Sequence, residues 1–591
     1  MDKVVNVIFP FLNKTVKINA DSKVSDACAK VGQPLNLVCG GKGKCKKCIV
    51  DIEVEGKITS VISCQTKVVD GVKVLLKKED VQAQILTDSV LNHIDANPSL
   101  ALNYLSHEEL KTELAGNNWE TIEKHVKFPL HKPSLELIQK LSRVYHNEVG
   151  ITLVRNNSTV IDVFQGKKEV IYALAFDIGS TSVVGYLYDM VTFQQIGISS
   201  RLNMQTQIGG DVISRIEHTM SQPHGLTTLQ HLVRDTINQI ILQLCQENKI
   251  EKNDIYGATF CGNSTMQHLF FGIYPEHLGI APFTSTTHDE ISTKASCLNI
   301  DINPNGQITF LPLLGGFVGA DTTGVLLSLP SDSKSRLVID LGTNGEIAVG
   351  KHLHYKVAST ACGPALEGAG LEFGMRGTQG AIERFAIIDG KVSYKVIGNV
   401  KPQGICGSGI IDLVCELLVN GFINNRGAIC DPSNIADPRL AERIIPWDQT
   451  KAFVVCFAEE SESGKPILLT QKDIRQVQLA KGAIFTGCHM LIEHSGLTID
   501  AIDEILIAGA FGNYIDIKKA QTIGMIPHCA GVPVNSIGNA AGTGCQMFLL
   551  SHEEQQKCKK IAENAIHVEL ATDPAFTTKY MSNTYFNKID V

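Results

Sequence analysis

The sequence predicts a multidomain α/β protein: a small β-rich N-terminal module, a helical linker, a small α/β middle module, and a large α/β unit of two similar halves. Three observations predict it. Cysteines at 39, 45, 48 and 64 crowd a Gly- and Lys-rich loop near the N-terminus. Two segments, 175–185 and 338–347, share one pattern: an apolar strand ending in Asp, then Gly and a hydroxyl-bearing residue, then a second strand. A third apolar run, 505–508, leads into Gly509 and Gly512. At 591 residues the chain has room for about three to five folding units. The expected division is 1–85, 86–125, 126–169 and 170–591.

Composition narrows the class. Hydrophobic residues make up 44% and charged residues 19%, which leaves ample material for buried cores. A net charge of −8 argues against a nucleic-acid reader or a binder of anionic surfaces. The apolar run 1–12 is broken by Asp2 and Asn6 and lacks a small-residue cleavage site, so it reads as a strand rather than a signal peptide. The most apolar long window, 310–329, contains Pro312, Asp321, Thr322 and Thr323 and does not read as a membrane span. Seventeen cysteines, an odd number, without a secretory signal point to reduced thiols in a cytoplasm.

In the N-terminal module, Val4 to Phe9 and Thr15 to Ile18 read as a hairpin turning at Asn13-Lys14, and Ser25 to Val31 as a short helix. Strands follow at 48–54, 67–69 and 72–76. A β-rich unit this small often leans on a metal site. Four thiolates can hold a [2Fe–2S] cluster or one zinc ion. Zinc sites usually show two C-x₂-C knuckles, whereas only Cys45 and Cys48 form such a pair here. Cys39 precedes them on a glycine loop whose amides can face sulfide, and Cys64 arrives after a strand. Lys42, Lys44, Lys46 and Lys47 on the same loop form either a solvated face or a docking patch for an acidic redox partner.

The linker region is rich in helix formers. Ser106 to Glu109 has the form of a capping box, and Pro133-Ser134 opens another helix. Residues 150–163 alternate like strands with a turn at Asn156-Asn157. No chemistry attaches to this region beyond a tether for the N-terminal module.

In the large unit, the repeated hairpins let backbone N–H groups approach phosphate while Asp177 and Asp340 face a metal ion. Their duplication implies two halves with a cleft between them. The glycines at 509 and 512 would let an adenosine lie against the backbone. Asp321, preceding the second hairpin, reads by itself as a helix N-cap facing the cleft.

These strings resemble known families. The pattern C-x₅-C-x₂-C…C is similar to [2Fe–2S] ferredoxins of the adrenodoxin-like variety, which implies a β-grasp domain with Cys39, Cys45, Cys48 and Cys64 as ligands. The three later elements resemble the phosphate-1, phosphate-2 and adenosine motifs of the acetate and sugar kinase, Hsc70 and actin superfamily, whose halves are RNase H-like. That resemblance implies ATP and Mg2+, bound by Asp177, Gly179, Ser180, Thr181, Asp340, Gly342, Thr343, Asn344, Gly509 and Gly512, with Asp321 matching the general base of the sugar kinases.

The fusion of the two parts resembles the reductive activators of corrinoid proteins, which use ATP to return cob(II)alamin to cob(I)alamin. Strings at 209–216, 262–266, 363–368 and 374–376 fit that family as well. The resemblance implies a corrinoid protein of a methyltransferase system as partner, a low-potential electron donor and a possible homodimer, with neither nucleic acid nor membrane. No Asp-x-His-x-x-Gly string is present, so the cobalt cofactor is expected on the partner. Plant-type clusters sit near −400 mV, and each 100 mV uphill costs about 2.3 kcal/mol per electron. The competing readings are an electron-injecting activator of the 2-hydroxyacyl-CoA dehydratase type and a small-molecule kinase with an appended redox module.

Overall fold

The computed structural model describes residues 4–31, 35, 37, 41, 43, 48–76, 94–111, 116–342, 344–368, 370–509, 512 and 514–586. Cys39, Cys45 and Thr343 lie outside the described residues.

The N-terminal module is a five-stranded mixed sheet in the order Lys14–Asn19, Val4–Phe9, Val72–Val74, Ile49–Val54, Lys57–Ile62. Its first hairpin turns through Pro10–Leu12 and Asn13, whose φ of 51° suits asparagine. The helix Val24–Lys30 lays Val24, Ala27 and Cys28 on a core of Val5, Val7, Phe9, Val50 and Val74. The expected strand at 67–69 is a single bridge, Lys23 to Lys67.

The expected helical linker contains a strand. Leu100–Leu105 pairs along its whole length with Ile151–Asn156, which in turn pairs with Thr159–Gln165. The capping box at Ser106 forms, with Ser106 N–H donating to Glu109 Oε2 at 2.7 Å, but it closes a turn rather than an α-helix. Sheet pairing supplies the backbone partners that local helix propensity would otherwise claim. Helices Asn118–His125 and Leu135–Val144 follow; the second opens where expected, and Ser134 caps it. This sheet is fused to the large unit: Leu100 and Val154 enter its core, and Tyr256 donates to Asp162 at 2.7 Å.

The large unit repeats one topology. The first half orders its strands Gln195–Leu202, Ser182–Asp189, Tyr172–Ile178, Ile255–Gly262, Gln307–Phe310, with Ile291–Lys294 at the edge. The second half orders His354–Thr360, Gly345–Lys351, Arg336–Leu341, Glu504–Ala508, Val534–Gly538, with Ile566–His567 at the opposite edge, beside His354–Thr360. In each, an antiparallel meander of three strands is continued by two parallel strands. The central strands are buried on both faces, which accounts for their unbroken apolar runs. Two small sheets and the helix Gly407–Val419 are inserted between Thr360 and the long helix Gln471–His494.

The halves are tied by the helix Ala540–Leu550. It follows the last parallel strand of the second half yet packs on Tyr172–Ile178 and Ile255–Gly262 of the first. It crosses the helix Ala320–Ser328 at a glycine contact so close that a Cβ on Gly544 would stand 1.9 Å from the Gly324 carbonyl oxygen. Among the described residues, no helix is long and apolar enough to cross a membrane.

Candidate functional site

The two hairpins face one cleft. Asp177 and Asp340 are the penultimate residues of the strands Tyr172–Ile178 and Arg336–Leu341, both half-buried. Each is followed by a tight turn: Gly179 N–H donates to Ser182 O at 2.9 Å, and Gly342 N–H to Asn344 O at 3.0 Å. A Cβ on Gly179 would meet Ser182 O at 2.7 Å, so glycine is required by close approach. Ser180 is buried, and its hydroxyl accepts from Asn263 Nδ2 at 2.9 Å. The Thr181 hydroxyl donates across the cleft to Glu367 Oε2 at 3.4 Å.

Asp321 enters from the helix Ala320–Ser328. The N-cap of that helix is Gly319, so Asp321 is a first-turn residue facing the cleft rather than the cap. Its carboxylate accepts from Thr322 N–H at 2.8 Å. Gly509 closes the third element at φ +92°, where a Cβ would meet Leu341 O at 2.7 Å and Asp340 Oδ1 at 2.9 Å. Gly512 N–H donates to Gly509 O at 3.1 Å.

The electrostatics follow from crowding. Burial pushes Asp177 up to about 6, against hydrogen bonds from Asn539 and Cys261 that pull it down. Burial, with the nearby Asp177 carboxylate, pushes Asp321 up to about 7. Burial, then Asp321 and Asp177, pushes Asp340 up to about 8. A cation between these groups would relieve the repulsion. Among the described residues, these carboxylates do not close on one ion position. Mg2+ commonly takes one or two protein carboxylates and completes its shell with phosphate oxygens, which an open cleft allows. The donor set fits a magnesium nucleotide.

A fourth carboxylate was not singled out by spacing. Glu346, on the second strand of the second hairpin and directly opposite Asp340, is buried, and burial followed by Asp321 and Asp340 raises it well above the ordinary range. Its signal was a glutamate in an otherwise apolar strand. Asn203, Arg215 and Asn539, which brace the hairpins, were likewise not assigned; contacts this distant in sequence leave no local pattern.

In the N-terminal module, Cys48 and Cys64 are buried together with Leu37 and flanked by Leu35 and Ile62. Burial pushes the Cys48 thiol up, and the adjacent Cys64 adds to it. Gln65 Nε2 reaches Cys64 Sγ at 3.5 Å and also donates to Gly41 O. Two adjacent thiols in an apolar nook, with an amide donor at one sulfur, suit a buried thiolate-bound metal cluster.

Comparison with known proteins gives four findings. Residues 172–332 match the family model described as the RACo middle region, and residues 334–591 the one described as the C-terminal domain of RACo, the ASKHA domain. The chain is 46% identical over 98% of its length to the corrinoid activation enzyme RamQ of Eubacterium limosum, covering 99% of that protein. It is 22% identical over 445 residues to a Methanosarcina barkeri [Co(II) methylated amine-specific corrinoid protein] reductase, spanning 69% of this chain and 76% of that protein. A solved reductive activator for a corrinoid, iron–sulfur protein superposes with a TM-score of 0.75 at 30% identity, covering 98% of both chains.

Proposed function

The chain belongs to the RACo-type corrinoid activation enzymes, and on that premise we propose that it reduces an inactive cob(II)alamin, carried by a partner protein, to cob(I)alamin in an ATP-dependent reaction. Cys39, Cys45, Cys48 and Cys64 would hold a [2Fe–2S] cluster, whose chemistry would be one-electron transfer. The observation that carries the reading is the pairing of adjacent buried thiols in the N-terminal module with a duplicated carboxylate cleft in the large unit. The five-stranded sheet with its crossing helix supports a ferredoxin-type β-grasp.

The residues divide the work. Asp177 and Asp340 would hold Mg2+ together with phosphate oxygens, and the turns at 179–181 and 342–344 would offer backbone amides to the phosphates. Gly509 and Gly512 would lie against the adenosine. Asp321, raised to about 7 by burial and its neighbours, is poised to accept a proton from an attacking water near neutral pH. Closure of the two halves would be the two-state element that nucleotide biases. Leu35, Leu37 and Ile62 shield the Cys48 and Cys64 side of the cluster site from water.

The test is spectroscopic. Reduced protein, Mg-ATP and candidate corrinoid proteins mixed without oxygen should develop the cob(I)alamin absorption only when nucleotide is present. Equal reduction without nucleotide, or none with any corrinoid partner, would overturn the reading.

A further inference from the structure

One short segment of the first half touches both the first hairpin and the N-terminal module. Asn203 is fully buried. Its side-chain Nδ2 donates to Gly179 O at 3.0 Å, and its backbone N–H donates to Thr181 O at 2.9 Å. The carbonyl between them, Ser180 O, accepts from Arg215. Arg215 is also fully buried, and its guanidinium donates to Gln205 Oε1 and Gly209 O, each at 3.0 Å. Three consecutive carbonyls of the hairpin are therefore gripped by residues 203–215.

The opposite side of the same segment faces the N-terminal module. Leu37 N–H donates to Thr206 O at 3.1 Å, and the helix Val24–Lys30 packs against the turn Met204–Gln207. Leu37 is the residue that shares its apolar nook with Cys48 and Cys64. Asn203 also shapes the turn: its Oδ1 accepts from Gln205 N–H, and its carbonyl accepts from both the N–H and the hydroxyl of Thr206. Gln205 is anchored in turn through Nε2 to Leu229 O at 2.9 Å. A buried guanidinium on these acceptors is costly to disengage, so the turn and the hairpin should move as one body.

We propose that Asn203–Gly209 is the seat on which the N-terminal module docks, and that Asn203 and Arg215 couple this seat to Gly179–Thr181 so that nucleotide binding and seating of the module are linked. This rests on the reading of the cleft as the nucleotide site. Linkage is reciprocal: whatever factor nucleotide applies to seating, seating applies to nucleotide affinity. Asn203 and Arg215 are positioning residues; neither needs to touch the nucleotide.

Hydrogen–deuterium exchange on the full-length, metal-loaded protein, with and without Mg-ATP, tests the proposal. Nucleotide should change exchange about fivefold or more in residues 24–31 and 203–207, as well as in the hairpin. Asn203→Asp keeps the oxygen that caps Gln205 and removes the donor to Gly179. Arg215→Lys keeps the charge and loses the fork. Each variant should retain the nucleotide response at 177–185 and lose it at 24–31. A hairpin that responds while 24–31 stays silent in the wild-type protein overturns the linkage, as does an intact response in both variants. No response anywhere, with no heat of Mg-ATP binding, overturns the nucleotide site itself. Should neither variant fold, the wild-type comparison decides alone.

Discussion

Asp321 and Asp340 come from opposite halves of the molecule and meet across one cleft, where Asp321 is the strongest influence after burial in lifting the Asp340 carboxyl to about 8. Asp321 itself stands at about 7 and Asp177 at about 6. An unfolded chain would release these protons near pH 3.9. The folded form therefore binds protons that the unfolded form gives up, and the stability this contributes is complete below about pH 4, falls progressively above it and is lost by about pH 8. Thermal melts in a chelator should fall across that window, Asp340→Asn should flatten the fall, and Mg-ATP should oppose it. Melts indifferent to pH between 6 and 8 would show that the three carboxyls are already ionised.

Separate sites for the electron and the nucleotide predict separable losses. Cys64→Ser should abolish the visible absorption of the cluster and corrinoid reduction while leaving the heat of Mg-ATP binding unchanged. Asp340→Ala should do the converse, keeping the cluster spectrum and lowering ATP-dependent reduction by about 100-fold or more. Zinc rather than iron in the purified protein would sink the cluster assignment.

The contact between Gly324 and Gly544 has no room for a methyl group. A Cβ on Gly544 would lie 1.9 Å from one backbone oxygen, and backbone cannot swing aside as a side chain can. Gly544→Ala should cost about 3 kcal/mol or more in denaturant unfolding. Because the helix that carries Gly544 ties the two halves, Mg-ATP affinity should fall with it. A variant of wild-type stability would mean that the two helices separate easily.

Lys481 offers a pH dependence of opposite sign. It is buried in the helix Gln471–His494, donates to Tyr585 O, and lies 5.6 Å from the centre of the Phe586 ring. Burial pulls its amine down to about 8 from an unfolded value near 10.4. Between these values the unfolded chain binds more protons, so this residue's contribution to stability rises as pH rises from about 8 to about 10.4. Lys481→Met should remove that part of the slope. Parallel melting curves for the two proteins across that range would exclude the effect.

What the chain determined locally was legible in order of appearance. The strand-Asp-turn-strand strings at 177 and 340 fold as the expected paired hairpins, because close turns demand glycine and buried strands demand apolar runs. The helix start at Ser134 and the turn at Asn157 were legible for the same reason: each is settled by neighbours in sequence. Tertiary structure decided the rest. Leu100–Leu105 became a strand because a partner some fifty residues away offered its full ladder of hydrogen bonds. Asp321 became a cleft-facing carboxylate near Asp340 and its hairpin partner Glu346 because the assembly of the two halves brought it to them. The grip of Asn203 and Arg215 on the first hairpin, with the N-terminal module seated behind it, likewise depends on groups that no local pattern pairs. Periodicity and turn chemistry act over a few residues, whereas burial and charge proximity are properties of the assembled chain.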